Sequence, residues 1–228
     1  MDSGEPRLLI VADDFGLNPS YDAGIIEAAA AGALDGVGAM VLRVHDPVPV
    51  RATGVAIGLH LELGHALDAA TVEAELRGQL ERFESLFAAP PAYIDGHHHC
   101  HADSPASKPV AELARERGLA VRSVDDRHRG ELHAAGVRTP DRLIGRLDEV
   151  EPVESLELEA LLGGDGPPGF SEWMVHPGYA DSSSGSGYDA GREQDLALLL
   201  SLAAEPALRR LRATHAELPD PLDARFEP

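Results

Sequence analysis

Apolar residues along this chain gather in short unbroken runs. Each run ends on a polar residue, and helical spacing fills the stretches between. Leu8-Leu9-Ile10-Val11-Ala12 is the first run. It does not alternate, as expected of a strand buried on both faces of a parallel sheet. It stops at Asp13-Asp14. Asn18-Pro19-Ser20 is a helix-start signal, and Tyr21 to Leu34 reads as a helix with Ile25, Ile26 and Ala29 on one face. Gly36 to Leu42 and Val55 to Leu59 read as the next strands, the latter ending at His60. Thr71 to Phe87 is amphipathic, with Leu76, Leu80, Phe83, Leu86 and Phe87 on one side, and Pro90-Pro91 ends it. Tyr93-Ile94-Asp95 is a short strand. Ser107 to Arg117 is a helix stopped by Gly118, and Leu119 to Val124 is a strand. Residues 125–170 carry charged helical pieces and a Gly/Pro-rich turn at Gly163 to Gly169. Glu172 to Val175 is a late strand ending at His176-Pro177-Gly178. A loop follows from Ala180 to Gly191, then a helix from Arg192 to Ala204 with Pro206 as its stop.

Strands alternating with helices predict an α/β fold with mostly parallel strands, in one domain over residues 1–228. The core is expected at about 8–205 and a C-terminal tail at 206–228.

Four of these strands end on Asp or His: Asp13-Asp14, His60, Asp95 with His97, and His176. In parallel α/β folds the C-terminal strand ends share one face, and sites form there. Each residue alone has a plain structural reading. Adjacent acids cap helices, a histidine in an apolar strand is often a hydrogen-bonded core residue, and His176 could simply shape a turn. Together they point to one site. Asp13 and Asp14 suit a division of labour, one carboxylate for a metal and one for a proton. His176 suits a general acid, since imidazole titrates near working pH. The Asp14-Phe15-Gly16 triplet also occurs in protein kinases, but no glycine-rich or HRD-type loop precedes it here.

The densest signal is Tyr93-Ile94-Asp95-Gly96-His97-His98-His99-Cys100-His101. His97 and His101 are spaced to share one face of a helical turn, where they could chelate one ion or bracket one substrate. Asp95 could orient a histidine ring from behind. Cys100 could bind a soft metal, but burial is its plainer reading. His45, His65, His128, His133 and His215 read as surface or local residues, with His65 close to His60.

Charge and composition narrow the function. There are 39 acids against 19 Lys and Arg, for a formal net charge of -20, and Lys108 is the only lysine. Such a chain repels nucleic acid and anionic membrane surfaces. One cysteine allows no internal disulfide, the N-terminal segment lacks a signal-peptide pattern, and no apolar run reaches spanning length. A cytoplasmic location is expected.

In this order, Val11 to Ala28, "IGLHLEL" at 57–63, "YIDGHHHCH" at 93–101 and "WMVHPGY" at 173–179 resemble the YdjC-like carbohydrate deacetylases. "GREQDLALLL" at 191–200 is similar to a helix of that family. The resemblance implies a distorted (β/α) barrel, a homodimer and metal-dependent removal of an N-acetyl group from an amino sugar. It matches Asp14, His60 and His97 to ligands of one divalent ion, Mg²⁺ or Zn²⁺. It matches Asp13 to the catalytic base, His176 to the general acid, and Asp95, His101 and Arg122 to positions lining the site. Val41 to His45 and Glu62-Leu63-Gly64 depart from the family's usual pattern. Two other readings keep the same residues: another metal-dependent hydrolase such as a phosphoesterase, or a non-catalytic metal- or sugar-binding protein.

Overall fold

The run Leu8–Ala12 lies at the centre of the molecule. In the computed structural model, which describes residues 5–64, 67–145, 152–184 and 186–222, it belongs to β1 (Pro6–Phe15). Every side chain of the run is fully buried. Burial of each Leu, Ile or Val contributes about 1.5–3 kcal/mol, so this strand anchors the core. After β1 come α1 (Pro19–Ala30), β2 (Gly36–Ala39), α2 (Val48–Ala52), β3 (Ala56–Leu61), α3 (Ala69–Phe87) and β4 (Tyr93–Gly96). The second half holds α4 (Ser107–Arg117), β5 (Ala120–Val121), α5 (Asp126–Ala135), β6 (Arg142–Ile144), α6 (Pro152–Gly163), β7 (Gly169–Val175), α7 (Asp189–Leu202) and α8 (Pro206–Leu211).

The seven described strands form one sheet in the order β5-β4-β3-β2-β1-β7-β6, and every pairing is parallel. The sheet curls into a half-barrel wrapped by helices, consistent with the expected distorted (β/α) barrel. The segment before β6 spans the gap between the edges. Val121 donates its N–H to the Arg138 carbonyl at 3.0 Å, and Asp141 donates to the Phe170 carbonyl at 2.8 Å. No described helix is long and apolar enough to cross a membrane.

Helix starts follow their sequence signals. The Asn18 side chain accepts the Ser20 N–H before Pro19 opens α1, and the Asp68 side chain caps α3. Leu76, Leu80, Phe83 and Phe87 of the expected α3 stripe are buried, Leu86 is half-buried, and Val72 joins the buried face. The differences lie in short elements. β2 ends at Ala39 rather than Leu42, and β5 is only two residues long. In the charged stretch 125–170 a strand, β6, sits between two helices. Three residues carry too little periodicity to distinguish a strand from a loop. Residues 206–222, expected as a tail, turn back on the sheet: Leu208, Ala213 and Leu218 are buried, and Ala213 donates to the Leu8 carbonyl at 3.0 Å. His128 and His215, expected as surface or local residues, are buried. His65 lies outside the described residues.

Candidate active site

All four polar strand ends reach the same place, at the C-terminal edge of the sheet. Asp13 and Asp14 sit where the β1–β2 register slips between Ala12 and Phe15. Asp14 is left-handed, with φ 71°. In a regular strand adjacent side chains point to opposite faces. The irregularity lets both acids face the barrel mouth, at a backbone cost of about 1–3 kcal/mol for a non-glycine residue in that region.

Asp14 is the hub. Its Oδ1 lies 2.9 Å from His97 Nδ1 and 3.5 Å from His60 Nε2. Its Oδ2 accepts from Arg192 Nη2 at 2.6 Å. Burial pushes the Asp14 carboxyl up, but hydrogen bonds from His60 and His97 and the pull of His176 hold it well below the usual carboxylate range. His60 donates from Nδ1 to Asp95 Oδ1 at 2.9 Å, which turns Nε2 toward Asp14. Gly38 makes room for this pair. A Cβ there would sit 3.1 Å from His60 Nδ1 and 3.2 Å from both Asp95 oxygens. Burial lowers the His60 pKa, yet the charges of Asp95 and Asp13 and the bond to Asp14 raise it well above the ordinary value.

Asp13 is held differently. Arg122 grips both its oxygens at 2.7 Å. The same guanidinium lies 2.9 Å from Asp95 Oδ2 and donates from Nε to Glu172. Burial pushes Asp13 up, but the Arg122 charge dominates and keeps it far below the usual range. Glu172 has the weaker share of Arg122, and burial pushes it up to about 7.

His176 ends β7. Its backbone N–H donates to Asp195 Oδ2 at 2.7 Å, and its ring meets the Tyr188 ring edge-on at 5.5 Å. Helix α1 fixes the turn after it: Gly24 approaches so closely that a Cβ would fall 2.6 Å from Gly178 Cα. Burial lowers the His176 pKa, against the pull of Asp14 and Asp13.

His97, His98 and His99 form a single 3-10 turn, with His98 and His99 left-handed. The regular helical turn expected to pair His97 with His101 is absent. His97 faces Asp14, while His101 is fully buried behind the site and donates from Nε2 to the Arg122 carbonyl at 3.0 Å. Asp95, His101 and Arg122 therefore stand behind the cavity wall. Cys100 donates its thiol to the Leu61 carbonyl at 3.2 Å, and burial pushes its pKa up to about 12. A thiol this reluctant to ionise is a poor ligand.

Two sets of three donors are close enough to hold an ion among the described residues: Asp14, His60 and His97, and Asp13, His60 and Asp95. In the second set Arg122 already occupies Asp13 and Asp95, so a cation would have to displace a guanidinium. The first set fits. Four buried carboxylates, Asp13, Asp14, Asp95 and Glu172, face two buried guanidiniums, Arg122 and Arg192. The cluster draws positive charge at the atoms a divalent ion would use.

A cavity of about 820 Å³ opens above these donors. Asp13, Asp14, His60, His97, His98, His176, Tyr188 and Arg192 line it, and Arg43 stands in its wall in an ion pair with Glu62. The two segments that depart from the family pattern thus meet beside the site. Sequence reasoning missed Arg192, Tyr21, Glu172 and Tyr188. One signal was available for Arg192. It lies in the first turn of α7, where the helix dipole disfavours a cation.

The profile of the YdjC-like protein family matches residues 7–68 and 64–210. A chitooligosaccharide deacetylase of Yersinia pestis is 29% identical over 245 residues, covering 90% of this chain and 94% of the relative. A crystal structure of a putative cellobiose-phosphate cleavage protein from Enterococcus faecalis superposes with TM-score 0.77 at 23% identity, covering 93% of this chain and 98% of the other. The Xyl-CE4 domain of a multidomain xylanase from a termite hindgut metagenome gives TM-score 0.52 at 8% identity, covering 97% and 92%. These last two show likeness of fold.

Proposed function

The chain belongs to the YdjC-like family, and from that membership and the site geometry we propose that it is a metal-dependent hydrolase removing an N-acetyl group from an amino sugar or oligosaccharide. One observation carries the reading. Asp14, His60 and His97 converge on one point, while Asp13 and His176 line the same cavity outside that donor set. The name of the Yersinia relative supports the substrate class.

An amide is a weak electrophile with a poor leaving group, so the site must strengthen the nucleophile and protonate the amine. Asp14, His60 and His97 would hold a divalent ion, Zn²⁺ or Mg²⁺, which would supply Lewis acidity and a more acidic water. Asp13 is placed to take a proton from the attacking water. Arg122 keeps it ionised and fixes both oxygens, which makes it a well-aimed but weak base. Asp95 keeps the His60 ring turned so that Nε2 faces Asp14. His176 gives a proton to the departing nitrogen. Its backbone bond to Asp195 and its contact with Tyr188 hold the ring in place. The cavity volume lies in the range that encloses a small ligand, in keeping with a short oligosaccharide.

A phosphoesterase would ordinarily use a second ion and more free carboxylates. Here the second donor set shares His60 and is occupied by Arg122, which favours a single ion. We place the enzyme in the cytoplasm, in keeping with its free Cys100 thiol, and as a homodimer by family resemblance. The test is acetate release from N-acetylglucosamine oligomers, with and without a chelator. Release that stops with chelator and returns with added ion supports the proposal. Metal binding with no release from any acetylated sugar rejects the substrate class.

A further inference from the structure

The Asp14 carboxylate faces two ways, and the second partner lies outside the expected set. Oδ1 looks toward His60 and His97, while Oδ2 is held by Arg192 Nη2 at 2.6 Å. Arg192 is fixed from three sides. Its guanidinium carbon lies over the Tyr21 ring of α1, 3.8 Å from the centroid. Its carbonyl accepts the Gly178 N–H at 3.1 Å, tying α7 to the turn after His176. The side chain is buried. Among the described residues its Nε and Nη1 have no hydrogen-bond partner. That is costly for a buried guanidinium, so the position is held by the Tyr21 ring and the Asp14 bond rather than by a full set of acceptors.

We propose that Arg192 is a positioning residue that occupies one oxygen of Asp14 and leaves the other as the only Asp14 donor facing His60 and His97, so that the site selects against large cations that take carboxylates through both oxygens. This rests on the cation site proposed above. Ca²⁺ takes six to eight oxygen ligands and often grips a carboxylate with both oxygens, whereas smaller ions accept fewer, fixed ligands. With Oδ2 taken and two imidazoles as the other donors, the site is poor in oxygen. The left-handed backbone at Asp14 belongs to the same arrangement, because it turns the carboxylate between the histidines and Arg192.

The test is calorimetric titration of the purified protein with Mn²⁺ and with Ca²⁺, on wild type, Arg192→Met and Arg192→Lys, each checked for folding by circular dichroism. Loss of the guanidinium charge affects both ions, so the ratio of affinities isolates the geometry. Arg192→Met is expected to shift that ratio toward Ca²⁺ by about tenfold or more, the usual reach of groups that orient metal ligands. Arg192→Lys keeps a donor for Oδ2 and is expected to stay nearer to wild type. An unchanged ratio in Arg192→Met overturns the proposal. So does a crystal structure of Mn²⁺-loaded wild type with both Asp14 oxygens on the ion, a result that needs no variant to fold. If wild type binds neither ion and takes up no Zn²⁺ or Mg²⁺ in the same titration, this inference and the proposed function fall together. If it binds Mn²⁺ and the ratio does not move, only the inference falls.

Discussion

Arg122→Met removes a cation that serves Asp13, Asp95 and Glu172 together. In the structure Arg122 is fully enclosed, at 2.7 Å from each Asp13 oxygen and 2.9 Å from Asp95. Methionine fills much of the space and supplies no charge. Stripping one partner from a buried ion pair costs about 3–5 kcal/mol, because the other partner stays buried and uncompensated. Here Asp13 loses its main partner, and Asp95 is left with His60. Glu172, with its pKa already near 7, adds less. A loss of about 4 kcal/mol at pH 8 is expected, a large part of the roughly 5–15 kcal/mol that holds a domain together. The pH dependence has a definite sign. Stranded carboxylates have folded pKa values above the unfolded value of about 3.9, so the folded variant binds extra protons and its stability falls as pH rises. The deficit should therefore shrink between pH 8 and pH 5. Urea unfolding followed by fluorescence measures it, since Trp173 is the only tryptophan and is buried in β7 beside Glu172. A loss under about 1 kcal/mol at pH 8, the size of an exposed ion pair, would refute the claim that Arg122 neutralises this cluster. So would a deficit independent of pH.

Three further outcomes are expected. Glu172→Gln should be more stable than wild type at pH 8, by up to about 3 kcal/mol. The folded pKa is raised from 4.5 to about 7, so wild type loses stability as pH rises through that window. Urea midpoints at pH 5 and pH 8 that shift by the same amount would contradict this. His215→Phe should flatten the loss of stability in acid. Burial, helped by the charges of Arg122 and Arg138, lowers His215 from 6.5 to about 3, so between those values the unfolded chain holds the extra proton and wild type weakens as pH falls. Melting curves of the two proteins that stay parallel from pH 7 to pH 4 would count against it. Gly38→Ala should fold yet lose about tenfold or more in activity, since its Cβ presses on the His60–Asp95 pair. Unchanged acetate release would show that the pair tolerates displacement.

Much of the fold was legible because its strongest signals are local. The run Leu8–Ala12 and the stripe of α3 follow from periodicity, and Asn18-Pro19 from capping chemistry. The site was legible for a different reason. In a parallel sheet the strand ends share one side, so Asp or His at several ends converges without knowledge of the barrel. What stayed hidden depends on distances across the fold. Arg192 lies 178 positions from Asp14, and Glu172 lies 50 from Arg122. Nothing local marks either pairing. The split between His97 and His101 was hidden too, because H-x3-H implies a shared face only in a regular helix, and left-handed His98 and His99 break that spacing.

The most direct measurement compares Asp13→Asn with Asp14→Asn, counting bound divalent ion by mass spectrometry and acetate released from N-acetylglucosamine oligomers. The account predicts that wild type carries about one ion and releases acetate. Asp13→Asn should keep the ion and release none, and Asp14→Asn should lose both. An Asp14→Asn protein that keeps its ion while Asp13→Asn loses it would contradict the assignment of ligand and base.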